Sequence, residues 1–218
     1  KNLVDLIRFR DHFRDELAPL VTIDGIEHYR NAFRAGHGVI GVTGHIGHFE
    51  LLAARLAMEP YPVAVVAREM YDPRLDRLLI RSRESVGLTV VPTTTSPRIL
   101  LEWLHRNGAV GVLIDTDSMR VRSEFIDWFG HPANTPIGQS LIGLRTGAAF
   151  VPMACLRRPD DTFQLIIRQQ VAFKKTGDRE ADARAVTEAC VRALESIIDA
   201  HRDQWIWLHN RWTTRPES

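Results

Sequence analysis

The chain alternates between short apolar runs and longer segments whose apolar residues recur at helical spacing. Four short runs are almost entirely apolar: GVIGVTG, PVAVVAR, LTVVP and AVGVLID (38–44, 62–68, 88–92 and 109–115). Such runs are typical of strands buried on both faces of a sheet. The segments between them predict helices, and the one over 72–87 has a proline near its start and a glycine at its end. This alternation predicts an α/β fold, a layered αβα domain with a mostly parallel mixed sheet.

The flanking segments fit the same domain. Before the four runs, we predict an amphipathic helix over 3–17 and a short strand with a helix ending near Gly36. After them, we predict an irregular segment over 116–138 and a helix over 139–147. The last elements are two strands paired around the turn PDDT (148–158 and 163–173) and a long helix over 178–204. No repeat or interdomain linker interrupts the pattern. We therefore predict a single domain over residues 1–218.

Composition narrows the class of protein. A length of 218 residues suits one domain, and a net charge of +1 gives no general attraction to nucleic acid. Cys155 and Cys190 lie in apolar surroundings and resemble core residues, without the spacing of a metal site. No apolar run reaches the roughly 18 residues of a transmembrane helix. The chain begins at Lys1 rather than at a methionine, which is compatible with an upstream segment and with a membrane anchor in it.

Polar residues follow three of the predicted strands at the point where each strand ends. These clusters are His45, His48 and Glu50 after the first strand, Arg68 and Glu69 after the second, and Asp115 and Asp117 after the fourth. Because ligands of parallel α/β sheets bind at the carboxyl ends of the strands, we expect these clusters to share one site.

The stretch TGHIGHFE (43–50) suggests a chemical role for two of these residues. His45 lies just before the predicted helix and Glu50 in its first turn, where a carboxylate complements the helix dipole. From there Glu50 would reach back to one ring nitrogen of His45 and leave the other nitrogen free to take a proton from a hydroxyl. The alternative is that Glu50 only caps the helix. A second alternative is a metal-dependent hydrolase, with a mixed site built from His45, His48, Glu50, Asp115 and Asp117.

The motifs together resemble those of the bacterial lipid A late acyltransferases, the lauroyl/myristoyl acyltransferase family within the glycerolipid acyltransferases. His45-x4-Glu50 resembles the H-x4-D/E motif, DTDSMR (115–120) the D-x-D segment, and residues 125–152 the "F-FG-A-T-G-LA-RTGA-VVP" block. WIWLHNRWTTRPES (205–218) resembles the terminal "W-HRR(F/W)-TRP" signature. The chain departs from the family at His48, where Asn is usual, at Phe49, where Trp is usual, and at residues 118–120, where a glycine is common.

The resemblance implies roles for particular residues. His45 becomes the general base, Glu50 its partner, and Asp115 the important aspartate with Asp117 beside it. Arg83 falls where the family has an important arginine, with Arg68 as the competing candidate. The remaining residues expected to bind substrate are Arg120, Arg122, His209 and Arg211, the last two also supporting the site.

The resemblance also implies the reaction and its partners. It implies an O-acyltransferase that moves a fatty acyl chain from an acyl-carrier protein or coenzyme A thioester to a hydroxyl of a glycolipid of the lipid A type. No cofactor, metal or nucleic acid is expected, and the sequence has no G-x-S-x-G nucleophile motif. We expect the enzyme to work on a membrane surface, at the cytoplasmic face of the bacterial inner membrane. A lipid-binding module without turnover is the alternative outside enzymes.

Overall fold

The computed structural model describes residues 2–118 and 121–216 and is built around a seven-stranded mixed sheet. The strand order is β1-β9-β8-β2-β5-β3-β4. The strands are β1 (Val21–Asp24), β2 (Val39–Thr43), β3 (Val63–Ala67), β4 (Leu88–Pro92), β5 (Ala109–Leu113), β8 (Ala149–Arg157) and β9 (Phe163–Ile167). Strands β8, β2, β5, β3 and β4 run parallel, whereas β9 pairs antiparallel with β8. The predicted α/β class with a mostly parallel mixed sheet is confirmed.

Helices cover both faces of this sheet. They are α1 (Asn2–His12), α2 (Ile26–Ala32), α3 (Phe49–Leu56), α4 (Pro73–Ser85), α5 (Pro97–His105), α6 (Gly138–Thr146) and α7 (Arg179–Ala200). Side chains alternate along a strand, so neighbouring residues of β2 enter different cores: Val39 packs with α1, α2 and α3, and Ile40 packs with α5 and α7. Cys155 and Cys190 belong to the two opposite cores and are free thiols.

The prediction for one segment was wrong. Residues 116–138 were expected to be irregular, but they contain an antiparallel hairpin of β6 (Ser123–Trp128) and β7 (His131–Pro136). Its turn is Phe129-Gly130, and both residues have positive φ, 52° and 80°. This is the conformation of the tight turns that suit the twist of a hairpin. The hairpin packs Ile126 and Trp128 into the same core as α7.

The last strand is shorter than predicted. A strand was expected over 163–173, whereas β9 ends at Ile167. Ile167 pairs with Met153 of β8, and the next ladder position is occupied by Pro152. Pro152 accepts a hydrogen bond from the backbone N–H of Arg168 but has no N–H to return, so the ladder stops there.

The parallel strands bring several loops to one edge of the sheet. The carboxyl ends of β2, β5, β3 and β4 lie side by side there, and we call this the carboxyl edge. The loop from β2 to α3, the loop from β3 to α4 and the segment after β5 all begin at this edge. None of the helices within the described ranges combines the length and the hydrophobicity that a bilayer-spanning segment needs.

Candidate active site

Adjacent strands place His45 against Asp115. β2 and β5 are in parallel register up to Thr43↔Leu113, so the residues two positions further on meet at the carboxyl edge. His45 Nδ1 lies 2.8 Å from Asp115 Oδ1, and the backbone N–H of His45 donates to Asp115 Oδ2 at 2.6 Å. A Cβ at Gly44 would lie 2.7 Å from the same carboxylate oxygen, so this close approach requires glycine.

Asp115 is a buried carboxylate held in its charged form. Its side chain is 1% exposed, and it accepts a third hydrogen bond from Trp205 Nε1 at 2.9 Å. Burial acts to raise the pKa of Asp115, but the hydrogen bonds and charge interaction of His45 and the hydrogen bond of Trp205 together lower it. Because a charged carboxylate only accepts, His45 donates its Nδ1–H. The Nε2 lone pair of His45 is therefore available to take a proton.

The carboxy-terminal tail covers this pair. The backbone N–H of Ile206 donates to the carbonyl oxygen of His45 at 3.1 Å, and the His209 ring lies edge-on to the His45 ring with centroids 4.4 Å apart. Burial and the neighbouring His45 lower the pKa of His209, against an opposing effect of Asp115. Of the two tail residues predicted to support the site, His209 contacts the His45 ring directly. Trp205 both packs in the core and bonds to Asp115.

His48 lies near His45 in sequence but is turned away from it. It is the N-cap of α3, where its Nδ1 accepts the backbone N–H of Leu51 at 3.3 Å. Its ring is buried and stacks on Phe9 of α1. Burial lowers the pKa of His48 to about 4. His48 is therefore a neutral core residue near pH 7.

The residues of the alternative mixed metal site do not lie together in the structure. His48 is buried against α1, and Asp117 is held by other side chains, so neither joins the His45–Asp115 pair. Within residues 2–118 and 121–216, no group of three or more His, Cys, Asp or Glu side chains is placed to hold a metal ion.

Glu50 was expected to contact the ring of His45, but it does not. Its carboxylate forms a two-pronged ion pair with Arg83 of α4, with distances of 3.0 Å to Nε and 2.5 Å to Nη2. The Nδ1 position of His45 is already taken by Asp115 from the adjacent strand. Burial acts to lower the pKa of Arg83, but the hydrogen bonds and charge of Glu50 raise it. The carboxylate that contacts His45 is thus Asp115, while Glu50 joins α3 to α4.

An apolar pocket lies between the sheet and helices α3 and α4. Gly41 and Gly111 are paired across β2 and β5 and line this pocket, where the side chains of Met153 and Val65 lie against them. Phe49, which contacts the His45 ring edge-on at 5.1 Å, also lines the pocket. The charged lining residues are Glu50 and Arg83. The rest of the lining is mainly aliphatic and includes Leu52, Leu56, Val65, Leu113 and Met153.

Two further predicted residues hold the tail to the hairpin. Asp117 accepts from Asn134 Nδ2 at 2.9 Å and from the backbone N–H of Thr214 at 2.7 Å. Arg211 is buried, donates to the carbonyl oxygen of Asn134, and lies over the Trp128 ring at 5.0 Å. Burial lowers the pKa of Arg211 to about 10. Both residues support the tail that covers the His45–Asp115 pair, which we call the dyad.

The other predicted arginines lie apart from the dyad. Arg68 is exposed after β3, whereas Arg83, its competitor for the role of important arginine, lines the pocket. Arg122 is exposed and forms an ion pair with Glu180 at 2.6 Å. Arg120 lies outside the described residues.

The sequence interpretation missed Trp205 as a partner of Asp115. The signal available was the terminal signature itself, in which a tryptophan precedes a basic cluster. A buried indole N–H needs an acceptor, and in this tail the acceptor is the carboxylate of the dyad.

Comparisons with known proteins identify a family and several relatives of this chain. A family model described as bacterial lipid A biosynthesis acyltransferase matches residues 3–214. The chain is 27% identical over 195 residues to a phosphatidylinositol mannoside acyltransferase of Mycobacterium tuberculosis (strain CDC 1551 / Oshkosh), covering 87% of this chain and 59% of that protein. It is 25% identical over 206 residues to the protein of the same description from Mycolicibacterium smegmatis, covering 93% and 65%. It is 26% identical over 203 residues to the lipid A biosynthesis lauroyltransferase of Escherichia coli K12, covering 92% and 64%.

These matches include most of this chain but only part of each relative. The chain spans about three fifths of the length of the curated relatives it matches.

Proposed function

The chain belongs to the bacterial lipid A biosynthesis acyltransferase family, and from this premise we propose that it transfers a fatty acyl chain to a hydroxyl of a glycolipid. The observation that carries the proposal is the His45–Asp115 pair beside an apolar pocket. A charged, buried Asp115 leaves His45 Nε2 as the proton acceptor, and this is the group that direct transfer to a hydroxyl requires. Relatives named as mannoside and lipid A acyltransferases support a glycolipid acceptor.

The proposed reaction needs no covalent enzyme intermediate. His45 takes the proton of the acceptor hydroxyl while its oxygen attacks the carbonyl carbon of an acyl thioester. The new ester C–O bond forms, the C–S bond breaks, and the proton passes from His45 to the departing thiolate. Asp115 stabilises the imidazolium that forms in between. The donor is a thioester of an acyl-carrier protein or of coenzyme A, and positioning by the pocket supplies the rest of the rate.

The acyl chain of the donor would occupy the apolar pocket. This pocket has a largely aliphatic lining and is bordered by Phe49, whose ring contacts His45. In this arrangement the Glu50–Arg83 ion pair fixes α3 relative to α4, and so fixes the width of the pocket. Glu50 therefore acts on the shape of the acyl site rather than on the proton of His45.

We place this reaction at the cytoplasmic face of the inner membrane, with the protein bound peripherally there. Acyl thioesters are made on that side, and glycolipid acceptors are amphiphilic. The lipid A lauroyltransferase among the relatives supports a membrane substrate.

Replacement of the base tests the proposal. His45→Gln keeps a polar side chain but removes the proton acceptor, and we expect transfer to fall by about a hundredfold or more. The measurement is consumption of a radiolabelled acyl thioester in the presence of a mycobacterial mannoside or a lipid A precursor, with circular dichroism to confirm folding. A folded His45→Gln variant that transfers at the wild-type rate would contradict the assignment.

A further inference from the structure

Large apolar side chains project into solvent on the segment that follows β3. Met70 is 42% exposed and Tyr71 is fully exposed, three and four residues after the strand ends. Leu75 and Leu78, in the first two turns of α4, are 48% and 43% exposed. On a surface helix of a soluble domain the outward positions are normally polar.

The tail that covers the dyad carries a second group of the same kind. Trp207 is 60% exposed and Leu208 is 91% exposed. They follow Trp205 and Ile206, the residues that bond to Asp115 and His45. Trp207 is held in this position, because its indole N–H donates to the carbonyl oxygen of Arg202 at 2.7 Å.

The two groups lie at the carboxyl edge of the sheet. The tail group adjoins the end of β2, and the other group follows the end of β3, with β5 between these strands. Neighbouring strands are about 4.8 Å apart, so the groups start roughly 10 Å from each other. We call the set of Met70, Tyr71, Leu75, Leu78, Trp207 and Leu208 the apolar rim. The His45–Asp115 pair lies at the same edge.

Arginines accompany the apolar rim. Arg77 and Arg81 are exposed on α4 on either side of Leu78, and Arg68 is exposed before Met70. Two acidic residues of the segment are engaged locally: Asp72 caps α4 and pairs with Arg74, and Asp76 accepts the backbone N–H of Met70. A third, Glu69, is exposed beside Arg68. The outward face of α4 therefore combines leucine with arginine.

We propose that the apolar rim inserts into the interface of a bilayer that contains anionic lipid. This inference rests on the proposed function and assigns its membrane contact to named residues. Tyrosine and tryptophan favour the interface between headgroups and acyl chains, and arginines on the same face attract anionic headgroups. Insertion would bring the carboxyl edge, and with it His45, to the level of a lipid-borne hydroxyl.

Vesicle binding by the full-length protein tests this surface. The vesicles are pure phosphatidylcholine or equal parts of phosphatidylcholine and phosphatidylglycerol, and binding is measured by flotation. We expect stronger binding to the anionic vesicles, and about a tenfold loss of that binding in the double variant Tyr71→Ser/Leu75→Ser and in Leu208→Ser. The control is Met58→Ser, because Met58 is 42% exposed but lies beyond the end of α3, at the opposite edge of the sheet. It should bind as the wild type does.

A second assay separates this inference from the proposed function. With a detergent-solubilised acceptor, the rim variants should transfer acyl groups at the wild-type rate, because the rim residues do not touch the dyad or line the pocket. Wild-type vesicle binding by the rim variants would overturn the inference. So would a wild-type protein that ignores vesicles and instead binds an acyl-carrier protein through these residues. Absence of transfer by the wild-type protein would count against the proposed function alone.

Discussion

At the scale of single residues, the hydrogen bond from Trp205 to Asp115 is one of the interactions that hold this buried carboxylate in its charged form. Asp115 is buried, and without donors its pKa would rise. Trp205→Phe keeps most of the packing and removes one donor. We expect kcat to fall about tenfold or more, since hydrogen bonds to charged groups contribute about 1.5–3 kcal/mol. The pKa of Asp115 should rise as well, so the acid limb of the kcat/KM profile should move to higher pH.

Trp207→Phe provides the matched control. Trp207 lies two residues further along the same tail, donates to a backbone carbonyl oxygen, and stays apolar when replaced by phenylalanine. Neither kcat nor the acid limb should change in this variant when a detergent-solubilised acceptor is used. An unshifted acid limb in Trp205→Phe would show that this indole only fills space.

The sequence predicted which residues gather at the carboxyl edge more readily than which of them touch. His45 and Asp115 were recognisable because each follows an apolar strand, and residues at strand ends share one edge. Their contact could not be predicted, because it depends on β5 lying between β2 and β3, although β3 follows β2 in the chain. Glu50 was assigned to His45 on sequence proximity, whereas its partner Arg83 comes from α4.

At the scale of elements, local periodicity predicted the buried strands and the helices between them. It failed at the β6–β7 hairpin, where the strand sequences SEFIDW and HPANTP are rich in polar residues and proline. The turn also lacked its usual signal, since Phe129 occupies a left-handed position normally filled by asparagine or glycine. Packing of Trp128 and Ile126 against α7 stabilises this hairpin, although its local sequence does not predict it.

The N-cap of α3 makes the stability of the fold depend on pH. The pKa of His48 is lowered from 6.5 to about 4, mainly by burial, with Asp5 of α1 opposing the shift and Arg157 of β8 adding to it. Below pH 6.5 the unfolded chain gains a proton at this position that the folded protein does not. The free energy of unfolding should therefore fall between pH 6.5 and pH 4, by up to about 3 kcal/mol from this group.

Urea unfolding at several pH values measures this effect. His48→Asn keeps an N-cap acceptor without a titratable ring, so its stability should fall less between pH 6.5 and pH 4 than that of the wild type. The matched control is His12→Asn, because His12 lies in α1 but is exposed. Equal pH dependence in the His48→Asn variant and the wild type would contradict the role of the buried ring.

At the scale of the whole molecule, two cores fix the sheet from both faces and leave its carboxyl edge for chemistry. The α1–α3 side provides the N-cap and the wall of the apolar pocket, and the α7 side supports the tail that closes over Asp115. The overall arrangement could be predicted, since alternating strands and helices permit few architectures. The tail could not be placed from its sequence, because it has no periodicity and its contacts, such as those of Trp205, Arg211 and Thr214, are made with residues distant in the chain.

The measurement that bears most directly on the account compares two aspartates at the same edge. Asp115→Asn removes the charge that stabilises the His45 imidazolium, whereas Asp117→Asn changes a residue that joins the tail to β7. Each folded protein is incubated with an acyl thioester and a glycolipid acceptor, and the acylated glycolipid is quantified by mass spectrometry. The account predicts product from the wild type, most of that product from Asp117→Asn, and about a hundredfold less from Asp115→Asn. Undiminished product from Asp115→Asn would contradict it.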